Sequence, residues 1–431
     1  MRYWKTIMKT TTFTCLALLI LTLPAARGEP FRTDINPALL YYQAFLMAPE
    51  PMSDTDGAYL YSKAGLGQNL PERFGKIAAG YDNEFKLVRE AAQQKVPCDW
   101  GIDMSPGPAT LLPHLALSKA VSIATRFRVM WDLQHGRQAD ACEDWLAALT
   151  LGRNVSCDGT LIGALVQNAN EAIECATVAG NFGQFSPESL QQLAKGIEAA
   201  PARRTVAACI PTEKAFFEDW LVHKIVELQK ANPGDDTKVM TGIHEVLTGM
   251  LDPQQDLPRM ALHRDSDATN WWAQLTQAAG GTSKGIVKLV RDLEPLYQKL
   301  ALILALPPGE YDTQMEKFKT EVQQSPNPLA LLIFPTWQWA QPREFKIQAW
   351  LAMVRAAVEY KLHGEPGLQS VMDPLGNGPF AFQRFVFDGV DRGFELKSTH
   401  SALIHTALIF VEKQGPPFRV DGPHIGEAVQ P

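Results

Sequence analysis

Helical period is the feature that most limits what this chain can fold into. From Leu111 to Ala200, apolar residues recur every three or four positions and are interrupted only by short polar turns. The spacing predicts a helix over 111–134, a turn at His135-Gly136-Arg137, and further helices over 138–153, 158–180 and 187–200. Ser186-Pro187 supplies an N-cap followed by a proline at the first helical position. Ala141, Trp145 and Leu149 fall at i, i+4 and i+8, which makes one apolar stripe. Connections this short leave successive helices as antiparallel neighbours.

The same period returns elsewhere. Asn36-Pro37 opens a short helix over 36–48, and apolar spacing predicts helix over 71–95, 212–230, 239–251, 270–278, 284–306, 311–324 and 343–362. Proline and glycine break residues 96–110, and Asn232-Pro233-Gly234-Asp235-Asp236 makes a second clean break. Past the turn cluster Asp373–Pro379 the pattern changes: 380–387 alternates aromatic and polar residues loosely, Asp388–Gly393 is a turn, and 394–398 and 405–411 are strand-like, which makes two or three strands. The expected fold class is therefore mainly α: antiparallel helical hairpins in a layered, repeat-like arrangement, with a small C-terminal β element. The expected organisation is a signal peptide over 1–28, a helical domain over 29–365 with a sub-boundary near 232–236, a β appendage over 366–415 and a flexible tail over 416–431.

Residues 1–28 have the pattern of a secretory signal: Arg2, Lys5 and Lys9, then the apolar run Phe13–Leu23, then Ala26-Arg27-Gly28 as a small-residue cleavage site. An uncleaved anchor is the alternative, but the run is short for a bilayer. The expected location is secreted or periplasmic, with no stable membrane insertion after cleavage. The chain has 40 Lys and Arg against 47 Asp and Glu; without residues 1–28 this becomes 36 against 47, a charge of −11. An acidic chain without a basic run is poorly suited to nucleic acid. Cleavage also removes Cys15 and leaves Cys98, Cys142, Cys157, Cys175 and Cys209. An oxidising compartment permits disulfides. The expected helix directions place Cys98 and Cys157 at one end of the layer and Cys142 and Cys175 toward the other, so Cys98–Cys157 is the preferred bridge and Cys142–Cys175 the second.

Two stretches carry resemblances. Gly136-Arg137-Gln138-Ala139-Asp140-Ala141 through Trp145 and Leu149 resembles one tetratricopeptide hairpin. That hairpin, Leu161–Val166, Asn327-Pro328-Leu329 with Pro335, Tyr360–Gly364, and Asp373-Pro374-Leu375-Gly376 with Gly378-Pro379-Phe380 come in an order that resembles a loosely defined family of exported bacterial helical proteins. The last block is similar to the end of a pseudopilin, although Phe394–Ser398 is not followed by a glycine- and aspartate-rich ending. The resemblance implies export and architecture, and no activity.

No catalytic or cofactor motif is expected. His244-Glu245 starts like a zinc-protease helix, but Thr248 stands where the second histidine belongs, so no metal is expected. His400 and His405 are an odd number of residues apart and point to opposite faces of a strand. Gly280–Gly285 lacks the order of a phosphate loop and reads as a helix link capped by Thr282 or Ser283. Asn154-Val155-Ser156 spells a glycosylation sequon, used only by a eukaryotic host. Acids stand beside tryptophan in Glu143-Asp144-Trp145 and Glu218-Asp219-Trp220, a pattern that fits either proton transfer or the edge of an amphipathic helix. Trp337 and Trp339, with Trp271 and Trp272, are the candidate ligand-binding residues, core filling being the alternative. Two functions follow: a non-enzymatic scaffold that binds a protein or peptide partner, or an envelope-acting hydrolase on glycan or peptide with a dispersed acid and aromatic site.

Overall fold

The computed structural model describes residues 34–50, 53, 55–56, 59, 69–250, 268–400, 406–416, 418–420 and 425–427. The expected signal peptide, Cys15 and His405 lie outside the described residues. The chain is mainly α with a small C-terminal antiparallel sheet, as its periodicity predicts.

Helix α1 (Pro37–Leu46) starts on Asn36, whose side chain accepts from the Ala38 amide. The same side chain donates to the Asp99 carbonyl at 2.6 Å, which ties the helix to the loop before the main hairpins. The helical stretch expected over 71–95 is two helices, α2 (Phe74–Gly80) and α3 (Asp82–Ala92), joined at Tyr81. Next come α4 (Pro113–Gln134), α5 (Gln138–Asn154), α6 (Leu161–Gly180) and α7 (Pro187–Ala199). Gly136 takes φ 74° in the turn between α4 and α5, a conformation that suits glycine. Ser186 caps α7 by accepting from the Ser189 amide. Helix α4 packs on α5 and α6, and α5 packs on α3, α6 and α7. Ala141, Trp145 and Leu149 are wholly buried, so the expected stripe is the packing face.

A second group of helices follows: α8 (Ile210–Lys214), a single widened π turn (Ala215–Asp219), α9 (Trp220–Ala231), α10 (Asp236–Met250) and α11 (Ala268–Ala278). The helix expected over 284–306 is broken into α12 (Ser283–Arg291) and α13 (Glu294–Leu304), because Pro295 has no amide to continue the ladder. Helices α14 (Pro308–Gln323), α15 (Pro328–Ile333), α16 (Trp337–His363) and α17 (Glu365–Gln369) complete the body. The break at 232–236 is a turn inside one core, since Leu221 and Ile225 of α9 pack with Val239 and Ile243 of α10. Helix α16 unites the body: Trp337 and Ala340 belong to that core, whereas Trp350, Val354 and Val358 pack with Trp145 of α5 and Val178 of α6.

Strands β1 (Ala381–Phe387), β2 (Val390–Lys397) and β3 (Ala407–Val411) form the sheet in that order. The turn is tighter than the sequence suggests. Asp388 and Gly389 alone reverse the chain, with φ of 50° and 75°, the two-residue geometry that matches strand twist. Phe394 and Phe410 lie opposite each other and stack, with Phe182 at their edges. The tail is not frayed where it is described: Phe418 and Val420 are buried, and the Ile409 amide donates to the Val420 carbonyl at 3.0 Å. The rings of Phe385 and Phe387 against Phe418 account for this docking.

Gly393 takes φ 151°, and a Cβ there would meet the Phe410 carbonyl oxygen. Gly393→Ala is expected to lower stability by about 2 kcal/mol or more through strain and a displaced β3. A chemical-denaturation midpoint equal to that of the wild type would show that the strands do not approach so closely.

Candidate functional site: a charged cleft

The deepest concentration of chemistry lies where α2 and α3 cross the α4–α5 hairpin. Small residues open it: Gly75, Ala78 and Ala79 of α2 leave room that larger side chains would fill, and the Gly75 backbone lies directly against the Trp131 ring. Phe85 lies beneath, with the Arg128 guanidinium 4.6 Å from its ring centroid. The result is an open cleft of about 660 Å3, lined among others by Asp82, Lys86, Arg89, Arg128, Asp132 and Arg137.

Asp144 of α5 organises the charges. Its side chain is wholly buried, and each of its oxygens accepts from one arginine: Arg89 Nε at 2.6 Å and Arg128 Nε at 2.8 Å. Arg128 also donates to the Ala78 carbonyl at 2.6 Å and to Asp82 at 2.8 Å. Burial pulls the Arg128 guanidinium down, and Asp144 and Asp82 more than offset it, so its net shift is upward. Arg89 reaches Glu143 at 3.0 Å as well. These arginines are occupied by the protein's own acids.

Asp132 is different. Its Oδ1 accepts from Arg137 Nε at 2.9 Å, but its Oδ2 is buried and has no hydrogen-bond partner. Burial pushes the pKa of this carboxyl above its ordinary value, against the lowering pull of Arg137, and Asp144 adds to the rise. A buried carboxylate oxygen on the wall of an open cleft is an acceptor waiting for a donor. The cleft can therefore hold a cationic or N–H-bearing group from outside.

The residues marked in the sequence are scattered. Trp337 is buried in the core, and Trp339 is 62% exposed two residues on. Trp271 and Trp272 are half-buried against the same core as Trp337, and Trp272 stacks on His244 with 4.7 Å between centroids. The expected bridges are not formed: Cys98, Cys142, Cys157 and Cys175 are all free thiols, as is Cys209. The Cys142 thiol points to the Ser189 carbonyl at 3.7 Å, away from a bridge. Cys175 is shut in near Glu171 and Glu174, and burial raises its thiol. Cys98 and Cys157 do come into electrostatic range, as the helix directions suggest, but burial raises both thiols and they remain unbonded. The sequon asparagine, Asn154, is buried and donates to the Tyr41 hydroxyl at 3.2 Å.

Of the two acid–aromatic pairs, Glu143-Asp144 proves to be the anchor of the arginines, while Trp145 beside it donates to the Glu174 carbonyl at 2.9 Å. Sequence reasoning missed Asp132, Arg128 and Arg89. The available signal was charge on the apolar side of a helix: Arg128 and Asp132, four apart, interrupt the run Val129-Met130-Trp131-Leu133. Among the described residues, no group of three or more His, Cys, Asp or Glu could hold a metal ion, and no helix is long and apolar enough to cross a membrane. No protein family, curated protein or solved structure matches this chain.

Glu84 of α3 is buried within reach of Arg128, and burial pushes its carboxyl up to about 7 despite that arginine. Between its ordinary 4.5 and about 7, the folded chain holds a proton at Glu84 that the unfolded chain releases. Stability from this group is therefore present at the acid end and is lost as pH rises through that window. Thermal midpoints of the wild type and Glu84→Gln, measured from pH 4.5 to 8, check this: the variant is expected to show the shallower decline. Parallel curves would contradict it.

Proposed function

We propose that this chain is an exported, non-enzymatic helical protein that binds a peptide or protein partner. The cleft between α2–α3 and α4–α5 receives a cationic group of that partner, a lysine side chain or a free amino terminus. The observation that carries this reading is the buried, unpartnered Asp132 Oδ2 on the wall of an open cleft whose arginines are already engaged. An ammonium group there gains a charge-assisted hydrogen bond and lifts the desolvation cost of the carboxylate. The mixed lining of acids and bases suits a polar peptide segment better than a fatty ligand. Export rests on the charged, apolar and small-residue order of residues 1–28, and the family resemblance of the helical body is consistent with it.

The hydrolase reading has less support. It needs the tryptophans of 337–339 to meet acids in one cleft, and Trp337 is in the core while Trp339 faces solvent.

Titration calorimetry with acetyl-Gly-Lys-Gly-amide, against the neutral norleucine peptide, tests the proposal. The lysyl peptide is expected to bind at least about tenfold more tightly than the neutral one, and Asp132→Asn to abolish most of that difference, a loss of about 1–3 kcal/mol. Equal binding of both peptides, or unchanged selectivity in Asp132→Asn, would refute the cleft as the cation site.

A further inference from the structure

Another orphaned carboxylate lies in the other half of the body. The π turn Ala215–Asp219 inserts one residue into the path from α8 to α9, and such widened turns re-aim side chains. Glu218 sits in this turn, 4% exposed, and its Oε1 is buried with no hydrogen-bond partner. It lines a pocket of about 340 Å3 whose walls are Val222, Val226 and Val290, with Asp219, His223 and Arg291 around it. Lys214, whose charge acts on Glu218, is held by Glu294 across the gap between α8 and α13, and Arg291 lines the pocket itself. Trp220, the neighbour of the acid pair, is not part of the pocket: its ring covers Gly107, where a Cβ would collide with it.

Apolar walls over a carboxylate describe the complement of an alkylammonium ion. We propose that the Glu218 pocket is a separate binding site for a primary alkylamine, which sets its carbons on Val222 and Val226, above the buried Val290, and its ammonium on Glu218 Oε1. Binding of this kind satisfies the orphaned oxygen with a charged donor and removes apolar surface of the ligand from water. A neutral alcohol offers the oxygen only an uncharged hydroxyl donor beside the same apolar contact.

Burial pushes the Glu218 carboxyl up to about 7, with Lys214 acting against the rise and Glu294 and Asp219 adding to it. The groups around it are Lys214, Asp219, His223, Arg291 and Glu294, with Tyr297, whose phenol burial raises well above its ordinary value. His223 is paired with Glu227 at 3.1 Å. The Gln variant retains the histidine, so the difference between the two chains isolates Glu218.

The probe is n-butylammonium, with 1-pentanol as the neutral comparison, titrated into the full chain carrying labelled valine methyl groups and followed by NMR at Val222, Val226 and Val290. Butylammonium is expected to shift these methyls and to bind about tenfold more tightly at pH 8 than at pH 6. Glu218→Gln is expected to bind at least about tenfold more weakly at pH 8 and to lose most of the pH dependence. Val226→Phe keeps the carboxylate and fills the pocket, and is expected to lose binding as well. No methyl shifts, pentanol binding as tightly as the amine, or either variant binding like the wild type would overturn the proposal.

Discussion

A carboxylate shut away from water must be held by charges of the protein itself, and Asp144 is held by two. Its oxygens take Arg89 from α3 and Arg128 from α4, so one buried acid on α5 fixes the crossing of three helices. The desolvation of such a group is costly, and removing it would leave two arginines without their main counter-charge, at a cost of about 3–5 kcal/mol. The cleft exists because this clamp holds α3 at its present angle while the small residues of α2 leave the mouth open. The site is thus a by-product of how the layers are joined.

The same device recurs further along the body. Glu171 of α6 is wholly buried and takes Arg153 at 3.1 Å and Arg203 at 2.7 Å, one on each oxygen. Glu344 of α16 accepts from the Val206 amide, so the longest helix is joined to the segment before α8. Where an acid is fully matched it acts as a joint between elements. Of the buried acids that keep an oxygen unmatched, Glu84, Asp158 and Glu174 among them, Asp132 and Glu218 each line an opening described above. Both openings ask for a cation, which agrees with a chain that carries more acids than bases.

Helices were legible because the period of apolar residues records burial directly. The stripe Ala141, Trp145 and Leu149 and the caps Asn36, Ser186 and Thr282 are all where local chemistry puts them. Breaks inside helices were less visible, since the single Gly80 before Tyr81 and Pro295 after Asp292-Leu293 are residues that helices also tolerate in their first or last turn. The site was hardly legible. Arg128, Asp132 and Asp144 come from two helices and meet Arg89 from a third, and no spacing in a linear sequence encodes that meeting. Tryptophan misled for the opposite reason: Trp337 is large enough to look like a ligand platform and is spent filling the core. The cysteines show the same limit, because Cys142 and Cys175 share a core without facing each other as a bridge requires.

The central claim is that the buried, unmatched Oδ2 of Asp132 at the cleft wall takes up the cationic group of a partner. Carbon-13 NMR of its carboxyl carbon, followed over pH with and without saturating lysyl peptide, tests it most directly. The free chain is expected to titrate above the ordinary aspartate range, and the bound chain at least about one pH unit lower, because the ammonium stabilises the charged form. Superimposable titrations at saturation would contradict the account.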